Sequence, residues 1–500
     1  MKSRLSYDDV AWAKSDEVEE SWIEFILYEG IYEEIERFLA GNYHTRQRAD
    51  FKLFRMGGFN ATFLMTFTDT HTSGAILRFP IPGVAMFPEE KVRNEVSIMQ
   101  FITEKTRDTM PIPIPAISRW GERAESPSKL GPFIIMDYID HAGSMSAALE
   151  TPGSQQERPE LSPDISVTKL KYLYRELATI IFSQSTISAN RIGSLKQTGR
   201  SEWEVAYRPL SLSMNEIVRI GTLPRSELPN TTYDKASLYF EALAELHISH
   251  LKYQRNDAID SADDCQRKFV SRFLFRKIIR DPELRDKWLS PRHNNGPFPV
   301  WCDDFRPENV LIDKDERVVG VVDWEFTYTA PVEFSHAPPW WLLLEKPEYW
   351  DKGLDDWCTE YERRLPIFLE AMRDCEEDVF RTRNERLGES QRLSSRMRDS
   401  WESGDFWIMY AARNNFAFDA IYWKKIDQRF FGPTENAGDD NICDVWKERL
   451  DLLEPEEKEI MEKYVDLKLK ETETRPLSWD PDQYTLEYIA RMNQASDSDA

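Results

Sequence analysis

Trp301-Cys302-Asp303-Asp304-Phe305-Arg306-Pro307-Glu308-Asn309-Val310-Leu311-Ile312-Asp313, followed by Gly320-Val321-Val322-Asp323-Trp324-Glu325, is the stretch whose reading decides the fold. It sets an Asp at 304, an Asn five residues on at 309, and an Asp fourteen residues beyond that at 323. The apolar runs 309–312 and 318–322 read as two short strands, with 313–316 as the turn between them. A hairpin of that size presents Asp304, Asn309 and Asp323 near one end. This trio suits phosphoryl transfer: one carboxylate orients a hydroxyl, while an Asn and an Asp hold Mg²⁺ against nucleotide phosphates. Asp and Asn also collect at strand ends because they build turns. The spacing of Asp304 and Asn309 alone therefore divides evenly between a site and a turn. The second Asp, at the end of the matching strand, tips the balance toward a site.

Outward from the hairpin, the chain reads as strands first and helices later. Residues 15–41 carry Trp22, Phe25, Ile26, Ile31, Ile35 and Phe38 near helical spacing. Residues 51–82 turn to strand patterning, with Phe63, Met65 and Phe67 alternating and 74–79 forming the next strand. Residues 92–106 form an amphipathic helix that includes Glu95. Residues 111–115 are extended, because each Pro restricts its predecessor. Residues 133–139 read as a buried strand running into a linker. Residues 151–164, rich in Pro, Ser and Glu, read as a loop. Helices are predicted over 165–188, 233–252 and 265–289, and again from 350 onward. Strand-rich first and helix-rich second, with a ligand between, is a two-lobed α+β plan.

Composition narrows the function classes. A chain of 500 residues allows two or three domains or lobes. Its net charge of −24, from 64 Lys and Arg against 88 Asp and Glu, argues against a general nucleic-acid binder, which needs clustered cations. The five cysteines, at 265, 302, 358, 375 and 443, show no C-x-x-C pair, so a reducing compartment is expected. The first ten residues lack an apolar signal core, and no apolar run is long enough to span a bilayer. No membrane partner is expected. The cytoplasm is the default compartment, with the mitochondrion left open. Oligomeric state is not legible.

The hairpin residues resemble the aminoglycoside phosphotransferase and choline kinase family, built on the protein-kinase-like fold. That family's catalytic loop reads H-G-D-x-x-x-x-N, and its metal strand ends in a hydrophobic-D-x-E pattern. On this resemblance Asp304 is the catalytic Asp, while Asn309 and Asp323 are the metal ligands. Cys302 stands where the family usually has His, and Asp303 where it usually has Gly. Cys-Asp-Asp, with Pro-Trp-Trp-Leu-Leu-Leu at 339–344, is most similar to a large, poorly characterised fungal branch of that family, over roughly 52–373.

The resemblance extends to the nucleotide side. Gly57, Gly58, Phe59 and Asn60 match a Gly-x-x-Asn loop lying over ATP phosphates, although Gly-Gly alone is more often a turn. Arg78 occupies the position of the β3 Lys, and Glu95 that of its helix partner. Guanidinium is planar where ammonium is a compact point charge, so phosphate geometry must differ. The alternative for Arg78 is a surface charge at a strand end. Met136, Asp137, Tyr138 and Ile139 match the linker that holds adenine. The fold implied is a small β-rich N-lobe and a larger helical C-lobe. Its expected boundaries are a helical extension over 1–50, a nucleotide-binding N-lobe over 51–140, a catalytic C-lobe over 141–430, and a second helical extension over 431–500.

Several other features carry two readings. His336, Pro338, Pro339, Trp340 and Trp341 either line a substrate pocket or pack a helix start. His247 and His250, three apart on a helix, suit a metal in spacing but have no evident third ligand, so a helix-face pair is preferred. The acidic run 454–459 reads as a solvated helix start. Two functions follow from the whole. One is an ATP- and Mg²⁺-dependent phosphotransferase for a small hydroxyl- or amine-bearing acceptor. The other is a pseudokinase, favoured by Cys302, Asp303 and Arg78, that binds nucleotide or a partner without transfer.

Overall fold

The computed structural model describes residues 6–43, 47–68, 74–151, 153, 158–383, 388–434 and 444–498. Cys443 lies outside them. Five strands, β1 (Arg48–Met56), β2 (Asn60–Phe67), β3 (Gly74–Pro80), β4 (Ile117–Gly121) and β5 (Phe133–Asp137), form one antiparallel sheet in the order β1-β2-β3-β5-β4. Strand alternation assigns its two faces. Phe63, Met65, Ala75, Leu77, Phe79 and Ile135 share a core with Val18, Trp22 and Ile26 of α1 (Asp9–Leu27) and with Ile35 and Leu39 of α2 (Glu29–Gly41). Leu64, Ile76, Ile134 and Met136 face the other way, toward Val92, Val96 and Met99 of α3 (Pro88–Thr106). With both faces covered, β3 is buried along its whole length. That is why residues 74–79 read as an almost unbroken apolar run. Each such buried side chain contributes roughly 1.5–3 kcal/mol, so α1 and α2 are part of this lobe's core.

The chain leaves β5 through Tyr138 to Ala142. It then forms β6 (Gly143–Ser144), which pairs not with the first sheet but with the hairpin strand Val310–Ile312. Next come α4 (Met145–Leu149), α5 (Val167–Ser185), β7 (Ser188–Ala189), β8 (Ser194–Gly199), β9 (Glu202–Tyr207), α6 (Leu212–Arg219), α7 (Ala236–Tyr253) and α8 (Ala262–Arg280). The hairpin region follows as β10 (Phe298–Cys302), β11 (Val310–Ile312), β12 (Val318–Val321) and β13 (Thr327–Thr329). Two small sheets frame it, β12-β11-β6 and β13-β10-β7. Beyond it the described chain is helical, including Leu354–Arg383 and Pro455–Glu471. The last helix, Gln483–Ser498, returns to the first lobe, where Tyr484 accepts a hydrogen bond from Trp22 Nε1 at 2.9 Å and Thr485 from the Gly83 amide at 3.0 Å. The architecture is α+β and two-lobed, with a small β-rich N-lobe and a larger helical C-lobe.

Three local expectations need correction. The strand predicted over 133–139 stops at Asp137; the Tyr138 amide bonds back to Gly74 at 3.0 Å, and the chain then turns toward β6. The helix predicted over 265–289 ends at Arg280, where Asp281 caps a new short helix opened by Pro282. The β8–β9 hairpin is absent from the sequence reading. Its outer positions are Lys, Gln and Glu; β8 is buried only at Ser194 and Leu195, and β9 alternates between exposed and half-buried. The alternation of Trp203, Val205 and Tyr207 was the available signal. No helix among the described residues is long and apolar enough to cross a membrane.

Candidate active site

Arg78 lies on the same face of β3 as Ile76, so its guanidinium reaches inward toward α3 rather than out to solvent. It is 7% exposed, which excludes the surface-charge alternative. Nη2 bonds both Glu95 carboxylate oxygens, and Nη1 donates to Asp323 Oδ1 at 2.6 Å. One guanidinium thus joins the N-lobe strand, the N-lobe helix and the C-lobe hairpin. A bidentate fork of this kind is the geometry that Arg provides and Lys does not.

A second cation completes the cluster. Lys91 sits one helical turn before Glu95 on α3, so the two share a face. Its ammonium pairs with Glu325 and donates to Asn60 Oδ1 at 2.6 Å, while Asn60 Nδ2 donates to Glu325 Oε2 at 2.9 Å. Arg78 and Lys91 therefore face three carboxylates, Glu95, Asp323 and Glu325. The excess is negative, and it lies where a cation would enter. Burial alone would raise the Glu325 carboxyl; Lys91 and Arg78 beside it hold it below the usual range. Burial pushes Glu95 up, and Arg78 opposes it.

On the hairpin, Asn309 Nδ2 donates to the Asp304 carbonyl at 2.9 Å. Its amide oxygen is the end left for a cation. Asp323 stands at φ 57°, a left-handed conformation that turns the chain sharply at the strand end, and its side chain is 32% exposed. Oδ1 is taken by Arg78, which leaves Oδ2. An amide oxygen and a carboxylate oxygen are hard donors of the kind Mg²⁺ accepts, and two are too few without phosphate or water. The donor set thus fits a Mg²⁺–nucleotide complex. Burial pushes the Asp304 carboxyl up to about 6, with Arg306 and Lys346 opposing. Arg306 Nε lies 3.6 Å from Asp304 Oδ1.

Residues 225–364 match the family model described as the phosphotransferase enzyme family. Asp304, Asn309, Asp323 and Glu325 fall inside that segment; Arg78, Lys91 and Glu95 fall outside it. No curated protein matches. Among solved structures, a thermostable mutant of aminoglycoside phosphotransferase APH(4)-Ia, in complex with AMP-PNP and hygromycin B, is 14% identical over 77% of this chain and 97% of that one, at a TM-score of 0.36. A type I macrolide 2'-phosphotransferase is 13% identical over 85% and 98%, at 0.39. A Plasmodium vivax ethanolamine kinase is 12% identical over 82% and 83%, at 0.38.

The two departures within the phosphotransferase-family segment have structural partners. Cys302 is buried at the end of β10, in register with Thr327 of β13, and burial raises its thiol well above the usual range. Asp303 accepts from Trp301 Nε1 at 2.7 Å, from the Leu212 amide at 3.2 Å and from the Tyr328 hydroxyl at 3.4 Å, with Arg413 Nη1 at 3.9 Å. It anchors the start of α6 to the catalytic loop.

Other predicted site residues are placed as follows. Gly57 and Gly58 form the β1–β2 turn, with the Gly57 amide on Asn60 O at 2.9 Å. Phe59 packs edge-on against Phe326, with ring centroids 5.2 Å apart. Asn60 is buried in the ion cluster rather than facing the loop. Met136 is buried, while Asp137, Tyr138 and Ile139 are half-buried along the linker. Ile139 packs so closely on Gly320 that a Cβ there would lie 2.7 Å from its Cδ1. His247 and His250 are buried, and burial lowers both to about 3; they pack against Phe418 and Phe416 as a structural pair. Among the described residues no group of three or more His, Cys, Asp or Glu could hold a metal. Trp341 is buried core, whereas half-buried Trp340 lines a cavity beside Asp304. Lys91 was missed in the sequence, although its place four residues before Glu95 was the signal.

Proposed function

We propose that the chain is an ATP- and Mg²⁺-dependent phosphotransferase acting on a small hydroxyl- or amine-bearing molecule. The observation that carries this reading is the Arg78–Asp323 bond, which joins the nucleotide-side pair to the end of the hairpin that bears Asp304 and Asn309. In this reading Asp304 orients the acceptor and takes its proton as the acceptor atom bonds to the terminal phosphorus and the bond to the departing diphosphate breaks. A carboxyl held near 6 is ionised at neutral pH and still basic enough for that role. Asn309 and Asp323 hold Mg²⁺, which neutralises charge on the phosphates when bound. Arg78, fixed by Glu95, steadies the phosphates. Among the described residues nothing demands glycine at 57 or 58: neither has a positive φ, and a Cβ at 58 would meet none of their atoms within 4 Å. Open space of this kind suits backbone approach to a ligand. The adenine is assigned to the linker 136–139, between lobes spanning 51–140 and 141–430. The four described cysteines are free, which fits a reducing compartment such as the cytoplasm.

A pseudokinase is the second reading. The observation that favours it is that Asp323 and Asn60 are already bonded within the protein. Thermal melts separate the two. MgATP is expected to raise Tm, ATP with EDTA much less, and MgATP turnover to exceed background. An equal rise with and without EDTA would remove Asn309 and Asp323 from their metal role. Binding without turnover on any acceptor would favour the pseudokinase.

A further inference from the structure

Asp304 opens onto a cavity walled by segments distant in sequence: Ser213 at the start of α6, Trp340, Lys346, Arg413 and Asn414. An aromatic chamber adjoins it, sharing Trp340 and Arg413 and adding Trp301, Phe305 and Tyr410.

The cations in this wall are not equivalent. Arg413 is matched by Asp303 at 3.9 Å, stacks over Trp301 at 4.5 Å and Phe334 at 5.0 Å, and donates from Nε to Met409 O at 3.1 Å. Arg306 leans on Asp304. Lys346 is different. Among the described residues no carboxylate lies within ion-pair distance of its ammonium, which sits 5.5 Å from the centroid of the Trp340 ring. Its field reaches Asp304, the half-buried Glu216 and the neighbouring Glu345, without an ion pair to any of them. In a chain with 88 acidic and 64 basic residues, an unmatched ammonium beside the catalytic candidate stands out. A cationic acceptor entering here would meet Lys346 and Arg306 as like charges. A carboxylate would find a partner at Lys346, and a flat or apolar body would find the Trp340 face and the aromatic chamber.

Resting on the phosphotransferase reading above, we infer that the acceptor is an anionic hydroxyl compound, a hydroxy acid with a flat or apolar body. Lys346 holds its carboxylate while its hydroxyl faces Asp304.

Two matched sets of compounds test this with the full chain and MgATP. One is mandelate, 1-phenylethane-1,2-diol and 2-amino-1-phenylethanol; the other is 3-phenyllactate, 3-phenylpropane-1,2-diol and 1-amino-3-phenylpropan-2-ol. Thermal shift reads binding, and ADP release reads transfer. At least one acid is expected to raise Tm above MgATP alone, with its diol and amine counterparts giving less. Lys346→Gln is expected to weaken that acid by roughly tenfold or more, and Lys346→Arg to retain it. Both variants should keep the MgATP shift of the wild type. The inference is overturned if the amines outperform the acids, if no acid stabilises the protein, or if Lys346→Gln binds the acid as well as wild type. It is also overturned if Lys346→Gln loses the MgATP shift, since Lys346 would then serve the nucleotide. Failure of MgATP itself to shift the wild type would instead sink the phosphotransferase reading, and this inference with it.

Discussion

The two sides of Asp304 are built on opposite electrostatic principles. On the nucleotide side, Arg78, Lys91, Glu95, Asp323, Glu325 and Asn60 form a closed cluster in which every described side chain bonds at least one other. On the proposed acceptor side, Lys346 makes no ion pair among the described residues, Arg306 stands 3.6 Å from Asp304, and Arg413 stands 3.9 Å from Asp303. Buried charges are tolerated when paired and costly when stranded. On the proposed function, a cluster that receives the same phosphates and cation in every turnover gains from being fixed in advance. A wall that takes its counter-charge from the ligand can leave one cation unmatched. The contrast predicts that mutations on the first side disturb stability and nucleotide binding together, and that mutations on the second disturb acceptor chemistry alone.

The largest effect is expected at Asp304, which belongs to the second class. Asp304→Asn should lower turnover by ~10²–10⁴-fold while leaving the MgATP shift nearly intact. The wild-type rate should fall as pH drops through about 6, because the carboxyl must be ionised to take a proton. Initial rates between pH 5 and 8 check this. A flat profile, or a lost MgATP shift in Asp304→Asn, would move Asp304 to the nucleotide side.

Lys91 tests the closed cluster. It is 2% exposed; its loss leaves Asn60 Oδ1 without its donor and leaves the Glu325 carboxylate with the Asn60 amide at 2.9 Å and Arg78 at 3.8 Å, short of its closest cation. Lys91→Met should destabilise the fold by about 3–5 kcal/mol in urea melts and weaken MgATP binding. Adding Glu325→Leu should recover part of the stability, because the stranded charge is then gone, but not the nucleotide affinity. A loss under about 1 kcal/mol for Lys91→Met would mean that water reaches the cluster.

Much of the first cluster was legible because its members sit on regular elements with fixed periods. Alternation along β3 places Arg78 opposite the face of Leu77 and Phe79, and the same α3 face carries Lys91 and Glu95. Arg78 and Glu95 are legible through resemblance, but Lys91 is not, because the helix reads as opening at Val92, one residue after it, whereas it opens at Pro88. Asn60 was read as a loop residue over phosphates; its burial depends on Glu325, 265 positions away. The acceptor wall was hardly legible at all. Ser213, Lys346, Arg413 and Asn414 come from separate segments whose meeting depends on the packing of the C-lobe helices. Pro338, Pro339, Trp340 and Trp341 carry a pocket-lining reading in the sequence, and all four line the aromatic chamber, with Trp340 also beside Asp304.

A smaller effect is expected beneath the aromatic chamber. Glu333 is 7% exposed, and among the described residues neither carboxylate oxygen has a hydrogen-bond partner, with His293 Nδ1 at 3.8 Å from Oε1; burial pushes its carboxyl up to about 7 from an ordinary 4.5. Below pH 4.5 the group is protonated whether folded or not. As pH rises, the unfolded chain releases the proton first, so stability falls until the folded group also ionises near 7. The difference amounts to at most about 3 kcal/mol. Glu333→Gln should therefore gain stability relative to wild type between pH 5 and pH 8. Urea melts at both values check the sign, and an equal difference at the two would show that Glu333 is not held neutral.

The smallest effect joins the two regions across the cleft. Arg55 on β1 donates to Glu308 Oε1 at 2.7 Å, tying the strand that enters the glycine turn to the residue before Asn309. Both ends are open to solvent, with side-chain exposures of 53% and 34%. An exposed pair contributes about 0–1 kcal/mol and weakens with salt. If it helps hold the glycine turn over the catalytic loop, Arg55→Gln should weaken MgATP by no more than about fivefold. Wild type should lose the same increment between low and high salt, and the variant should not. Titrations of MgATP at two ionic strengths separate this from a general electrostatic effect, which would act on both proteins alike. A loss well beyond that range would mean that Arg55 touches the nucleotide directly, and the closed cluster would then have a member outside the buried network.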